Sequence, residues 1–201
     1  MSIYLLKPRF QSLLRPAVAA LHAAGVNANQ VTLAACAVSV ALGLGLYFGA
    51  GSHPAALALI PLWMFLRMAF NAADGMLARE FDQASRLGAM LNELTDVVSD
   101  AALYLPLALL VPLQPLWVGA FIVLAGLSEF AGALGPSIGA SRRYDGPMGK
   151  SDRAAAVGAL ALWAAVAPLP SFMFLLMPLL TGLTGWTVVR RVRAALAEAK
   201  S

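Results

Sequence analysis

Residues 31–50 read VTLAACAVSVALGLGLYFGA, twenty residues without one charged side chain. A helix needs roughly 20 mostly apolar residues to cross the hydrocarbon core of a bilayer. This stretch has that length, and the rest of the chain agrees with it. Of 201 residues, 60% are hydrophobic and 12% charged, and the mean hydropathy is +0.77. A soluble domain carries about 25% charged residues. The composition therefore excludes a soluble globular domain, a disordered chain and a disulfide scaffold. Cys36 is the single cysteine; it has no intrachain partner and reads as a small buried side chain.

Working outward from residues 31–50, five more apolar stretches follow at 54–73, 87–111, 114–136, 154–169 and 170–190. Pro168 and Pro170 separate the last two, which equally suit one hairpin with a tight turn. Ahead of the first span, Ile3, Leu5, Leu6, Phe10, Leu13 and Leu14 recur at near-helical spacing among Lys7, Arg9 and Arg15. That pattern predicts an amphipathic helix lying in the membrane interface rather than a secretory signal. The expected fold is all-α: a polytopic membrane protein of six transmembrane helices plus an N-terminal amphipathic interfacial helix. It reads as one domain over 1–201, with an interfacial helix and linker (1–28), a six-span bundle (29–191) and a tail (192–201).

The net charge of +4 does not point to nucleic acid, because position matters more than the sum. Thirteen of the fourteen Lys and Arg residues lie before the first span, between the second and third, between the fourth and fifth, or after the sixth. The connections near Gly51–His53, Pro112–Pro115 and Pro168–Pro170 have none. The positive-inside rule then predicts a multi-pass inner-membrane protein with both termini and the two longer loops in the cytoplasm. His53 reads as an external turn residue and His22 as an interfacial one.

The fourteenth cation, Arg67, falls inside the second span. Glu93, Asp96 and Asp100 fall inside the third and Glu129 inside the fourth. Each such charge costs about 2.5–3.5 kcal/mol on insertion scales, so these groups require partners, water or a metal. At about 100° per residue, Gly88, Asn92, Asp96 and Asp100 share one helix face. Arg67, Asn71, Asp74, Gly75 and Ala78 share another. The two helices are consecutive and antiparallel, so their polar ends form an acidic pocket at the cytoplasmic side. Oxygen donors without a His or Cys cluster suit a hard cation such as magnesium, manganese or calcium, and magnesium is commonly shared with a phosphate-bearing substrate. A buried polar network that only fixes helix packing is the plainer alternative.

The segment from Asn71 to Asp96 resembles the signature of the CDP-alcohol phosphotransferases, D-x-x-D-G-x-x-A-R, about eight residues, then G-x-x-x-D-x-x-x-D. Asp74, Gly75, Ala78, Arg79, Gly88 and Asp96 match; Asn71 and Asn92 stand where the family has its first and third aspartates. The resemblance implies metal ligation by Asp74, Asn71, Asn92 and Asp96, with Asp100 or Glu93 replacing a missing carboxylate. The ion would be Mg2+ or Mn2+, in one or two copies. It implies catalytic roles for Asp74 and for Asp96, the latter as general base or second ligand. Asn29 and Thr32 in GVNANQVT (25–32) resemble a family cluster before the first span, although Asn29 equally suits a helix cap. With Gly75, Ala78, Arg79 and Gly88 they make up the expected nucleotide site. Gly149-Lys150-Ser151-Asp152-Arg153 resembles a family segment before the fifth span. Arg142, Arg143, Lys150 and Arg153 are accordingly expected around a lipid or acceptor phosphate, with Lys150 and Arg153 at the rim. The positive-inside rule alone also accounts for those charges.

The reaction implied by the resemblance moves a phosphatidyl-type group from a CDP-linked donor such as CDP-diacylglycerol to an alcohol, releasing CMP, in phospholipid biosynthesis. A homodimer in membrane lipid is implied with it. Arg67 is expected to pair with Asp74 or Glu129, or to reach substrate phosphate. Gly43–Gly45 and Gly182–Gly185 read as helix-packing residues. Two other readings stand beside the transferase: a catalytically altered member that binds nucleotide or lipid, motivated by Asn71 and Asn92, and a small cation or proton transporter using Asp96, Asp100 and Glu129.

Overall fold

The computed structural model describes residues 6–49 and 53–199, with side chains from Phe10 onward. Seven helices organise these residues: α1 (Leu6–Ala23), α2 (Ala28–Gly49), α3 (Leu59–Glu80), α4 (Arg86–Tyr104), α5 (Pro115–Ala133), α6 (Lys150–Val166) and α7 (Leu176–Glu198). No strand occurs among the described residues. Short 3-10 segments extend the helices: Pro54–Ala58 leads into α3, Leu105–Leu109 prolongs α4, and Ser171–Leu175 leads into α7. The chain is an all-α polytopic membrane protein.

Four helical stretches are long and apolar enough to cross a membrane: Ala28–Gly49, Pro54–Glu80, Pro115–Ala133 and Ser171–Glu198. The other two stretches expected to span correspond to α4, which carries Arg86, Glu93, Asp96 and Asp100, and to α6, which has 17 residues. Several boundaries differ from those read off hydropathy. The stretch 54–73 continues as helix to Glu80, 154–169 begins at Lys150, and 170–190 runs to Glu198. Hydropathy marks apolar composition, whereas a helix continues through charged residues wherever its backbone hydrogen bonds can. Within 87–111, Pro106 lacks the N–H that an α-helix interior requires, and the backbone changes to 3-10 geometry there.

Of the expected interfacial helix, Ile3, Leu5 and the Leu6 side chain lie outside the described residues. The described part is two-faced. Leu13 is 76% exposed, while Val18 is fully buried against Ala28, Val31, Ala73, Met76 and Leu77. Arg15 pairs with Glu80 at the end of α3 at 3.1 Å. α1 is thus docked on α2 and α3 rather than merely floating on lipid.

α2 packs on α3 and α4, α4 on α5, α5 on α7, and α3 on α6. A larger core runs from Leu46, Leu57 and Ile60 through Leu103, Tyr104 and Phe121 to Val157, Leu160 and Met177. The outer surface carries Phe48, Phe65, Leu116 and Phe174, all exposed. Such a surface is stable in lipid, not in water. α2 approaches α4 closely at Gly43, where an added Cβ would lie 2.1 Å from the carbonyl oxygen of Ala102. Small residues allow this in membrane bundles. Gly45 has open space where its Cβ would stand. Gly43→Leu should therefore lower stability in detergent by about 1–3 kcal/mol, whereas Gly45→Leu should leave it within about 0.5 kcal/mol; thermal unfolding of both variants checks this.

Candidate functional site

The N-terminal end of α2, the C-terminal end of α3 and the N-terminal end of α4 enclose a cavity of about 320 Å³. Asn27 begins α2: its side chain accepts the Gln30 N–H at 2.9 Å, and the Gln30 side chain accepts the Asn27 N–H at 2.9 Å. This is the reciprocal logic of a capping box. The cap is therefore Asn27, and Asn29 is released for another role. Its side chain lies where a Cβ on Gly88 would come within 2.8 Å of it. The glycine leaves room for the amide beside the α4 N-terminus, where Ser85 accepts the Gly88 N–H at 2.9 Å. Thr32 donates to Asp74 Oδ2 at 2.7 Å. A Cβ on Gly75 would come within 2.9 Å of the Arg79 guanidinium, so Gly75 lets that side chain fold back along α3. Asn29, Thr32, Asn71, Asp74, Gly75, Ala78, Arg79, Gly88 and Asn92 all line this one cavity. Gln83 and Ser85 join them, unanticipated because the short connection between α3 and α4 was read only for its charges.

Behind the cavity, Arg67 bridges two carboxylates one helical turn apart. It reaches Asp96 Oδ1 at 2.7 Å and Asp100 Oδ1 at 2.6 Å. Its expected partners were Asp74 or Glu129; the α3–α4 packing presents Asp96 and Asp100 instead. Asp96 also pairs with Lys150 from the start of α6 and accepts from Asn71 at 3.4 Å. Asp100 is buried, takes the Tyr104 hydroxyl at 3.3 Å, and does not line the cavity that holds Asp74. The expectation that Asp100 compensates for a missing ligand is not met by this arrangement: its charge is already answered by Arg67. Glu93 is likewise turned away, to Arg142.

A second cavity of about 430 Å³ adjoins the first; Asn92 lines both. Its wall includes Glu93, Asp96, Glu129, Arg142, Lys150 and Arg191. Of the four cations expected around a phosphate, Arg142 and Lys150 are at this wall. Arg143 is not; it pairs with Asp145 at 2.9 Å and with Glu198. The Arg143 guanidinium holds the Asp145 carboxyl below the usual carboxylate range. Arg153 is not at a rim but fully buried, donating to Ser128 Oγ and the Met148 carbonyl, each at 2.9 Å, and to Glu129 at 2.7 Å. It lies on the inward face of α6, and burial without those partners would be prohibitive.

Arg191 was counted only as a flanking charge. It is 1% exposed and donates to the Ser128 carbonyl at 2.5 Å, within 3.2 Å of Glu129. The signal that finds it is the helical spacing of Thr184, Thr187, Arg191 and Ala195, all buried on one face of α7. The loop after α5 is tied to the same face: Met148 N–H donates to Thr187 Oγ1 at 3.0 Å, and Arg191 to the Asp145 carbonyl at 3.3 Å. Gly146, at φ +118°, sits against the Thr187 backbone, where a Cβ would be 2.8 Å from its Cα.

A family model for CDP-alcohol phosphatidyltransferase matches residues 26–190, the stretch that contains both cavities. The chain belongs to that family. Its members transfer phosphatidyl groups from a CDP-alcohol in phospholipid synthesis and use divalent metals. The Inner membrane protein YnbA of Escherichia coli (strain K12) is 46% identical over 200 residues, covering 98% of this chain and 97% of that one. Phosphatidylinositol phosphate synthase (PgsA1) of Mycobacterium tuberculosis shares the fold. Its structure with CDP-DAG bound has a TM-score of 0.75 at 23% identity, over 90% of this chain and 92% of that one. Its complex with manganese and citrate has a TM-score of 0.75 at 24% identity, over 90% and 88%.

The donor set of the first cavity fits a hard cation. Asp74, Asn71 and Asn92 bring oxygen donors to one cavity, as such an ion requires. Asp96 is at the boundary, but Arg67 and Lys150 already answer its charge. Among the described residues no group of three His, Cys, Asp or Glu side chains is arranged to hold a metal. The Arg67 bridge is also what keeps two carboxylates tolerable in the bundle. Arg67→Met should cost about 3 kcal/mol or more, and adding Asp100→Asn should cost less than the two single changes summed. Unfolding of the three variants in detergent tests this, and strict additivity would contradict it.

Proposed function

We propose that this protein transfers the phosphatidyl group of a CDP-linked lipid such as CDP-diacylglycerol to an alcohol, releasing CMP. The observation that carries the reading is the pair of cavities meeting at Asn92, with Asp96 on the wall of the second. One cavity suits the nucleotide: Asn29, Gln83 and Ser85 offer hydrogen bonds, Gly75, Ala78 and Gly88 leave space, and Arg79 meets a phosphate. The other admits the acceptor. The acceptor hydroxyl gives its proton to the Asp96 carboxylate while its oxygen forms a bond to the lipid-side phosphorus. The pyrophosphate P–O bond breaks and CMP leaves with the electron pair. Lys150 and Arg67 hold Asp96 at the cavity wall, where a general base has to stand. Thr32 orients Asp74 through its 2.7 Å hydrogen bond.

Asp74, with the amide oxygens of Asn71 and Asn92, is the proposed holder of the divalent ion, Mg2+ or Mn2+. When bound, that ion would offset the charge gathering on the pyrophosphate. One ion per chain is the reading the donor set favours, since Asp74 is the carboxylate of the first cavity and Asp96 is already neutralised. The lipid tails would lie along the apolar outer surface. The cation-rich end that carries both cavities would face the cytoplasm, with the six helices α2 to α7 spanning the membrane of a single-domain protein. An inner-membrane location agrees with the name of the E. coli relative, and assembly as a homodimer rests on the family resemblance.

CMP release from CDP-diacylglycerol with Mn2+ and a pool of alcohols tests the reaction. Asp74→Asn and Asp96→Asn should each lower the rate by at least about 100-fold, and undiminished release in both would sink the assignment. Manganese content of the purified protein, measured by mass spectrometry after equilibrium dialysis, should be one ion per chain. Asn71→Asp with Asn92→Asp should raise it to two, and two ions in the unaltered protein would contradict the single-ion reading.

A further inference from the structure

Every cation at the wall of the second cavity already has a carboxylate. Arg142 pairs with Glu93 and lies 3.5 Å from Glu129. Arg191 is 3.2 Å from Glu129, and Lys150 pairs with Asp96. Asp152 adds a further carboxylate to the lining; it accepts the Gly149 N–H at 2.9 Å and has no cation among its described partners. The wall therefore carries four carboxylates against three cations. The two arginines that would tip this balance are absent from it. Arg143 is turned outward to Asp145 and Glu198, and Arg153 is sealed behind the wall by Glu129, Ser128 and the Met148 carbonyl.

Resting on the transferase reading above, we infer that the acceptor is an alcohol without net negative charge, and not a phosphomonoester. A dianionic phosphate entering this cavity has no free cation to meet. It must displace a carboxylate already seated on the cation it takes, Glu93 from Arg142, Asp96 from Lys150 or Glu129 from Arg191, and then lie beside that displaced charge. It also meets the remaining carboxylates at close range. Hydroxyl groups face neither penalty. Each is at once donor and acceptor, and a wall of alternating carboxylates and guanidinium groups supplies both partners without dismantling an ion pair. Among family members built on one fold, this cavity distinguishes acceptors by charge, with Glu93 and Glu129 as the specificity-determining residues.

The test offers the purified protein CDP-diacylglycerol, Mn2+ and matched alcohols: glycerol against glycerol 3-phosphate, myo-inositol against its 1-phosphate, and serine against phosphoserine. Lipid products are read by mass. Product is expected from unphosphorylated members, with at least about tenfold preference, and a faster reaction with a phosphorylated member overturns the inference. Calorimetric binding of inorganic phosphate to the CMP-saturated protein decides the same point without turnover. No saturable binding is expected below about 10 mM, and Glu93→Gln, which frees Arg142 at the partly exposed edge of the cavity, should tighten phosphate at least about tenfold. Submillimolar phosphate binding by the unaltered protein, or no gain in Glu93→Gln, also overturns it. Absence of CMP release with every alcohol counts against the transferase reading instead, and the phosphate titration still decides the charge of the cavity.

Discussion

Arg67 stands between Asp96 and Asp100, 2.7 Å from one and 2.6 Å from the other, in a bundle whose outer surface is built for hydrocarbon. Carboxylates one turn apart on a helix repel each other, and lipid offers them no water. A guanidinium from the neighbouring helix resolves both problems, because its planar fork meets two carboxylates at once. This sets the register of α3 against α4. That register carries Asn71, Asp74 and Gly75 opposite Gly88 and Asn92, and so forms the first cavity. Close approach of α2 at Gly43 and Ala102 then brings Thr32 to Asp74 and Asn29 to Gly88.

A second charge network does for the other half of the molecule what Arg67 does for the first. Glu129 receives Arg153 from α6 and Arg191 from α7, tying three helices together at the same end of the bundle. The loop after α5 is bound to this network through Thr187 and Arg191, which holds Arg142 over the second cavity. The two networks meet at Asp100, which is 2.6 Å from Arg67 and 4.0 Å from Arg153. The Asp96 carboxylate, the cavity walls and the bundle packing are thus one electrostatic system. The carboxylates of the transporter reading, Asp96, Asp100 and Glu129, are each paired with an arginine within it.

The neutral residues at two motif positions gain meaning in this setting. With Asn71 and Asn92 the first cavity keeps one carboxylate, Asp74, while Asp96 is balanced by protein cations rather than left for a metal. Fewer carboxylates mean weaker repulsion and less need for divalent charge.

Much of this protein was legible in its sequence. Apolar length and the sidedness of Lys and Arg decide an all-α membrane bundle, because the bilayer filters composition directly. Helical spacing alone puts Gly88, Asn92 and Asp96 on one face, and the motif spacing brings the residues of the first cavity together. What the sequence left open is which ion pairs with which. Arg67 had several acidic candidates, Arg153 read as a rim residue, and Arg191 read as a flanking charge. Those choices depend on interhelical register and on helix ends that continue past the apolar segments. Hydropathy does not encode either, since a buried arginine and a solvated one are the same letter. Only the packed helices decide that most cations at the reactive end are already paired, because pairing is a property of distances between elements far apart in the chain.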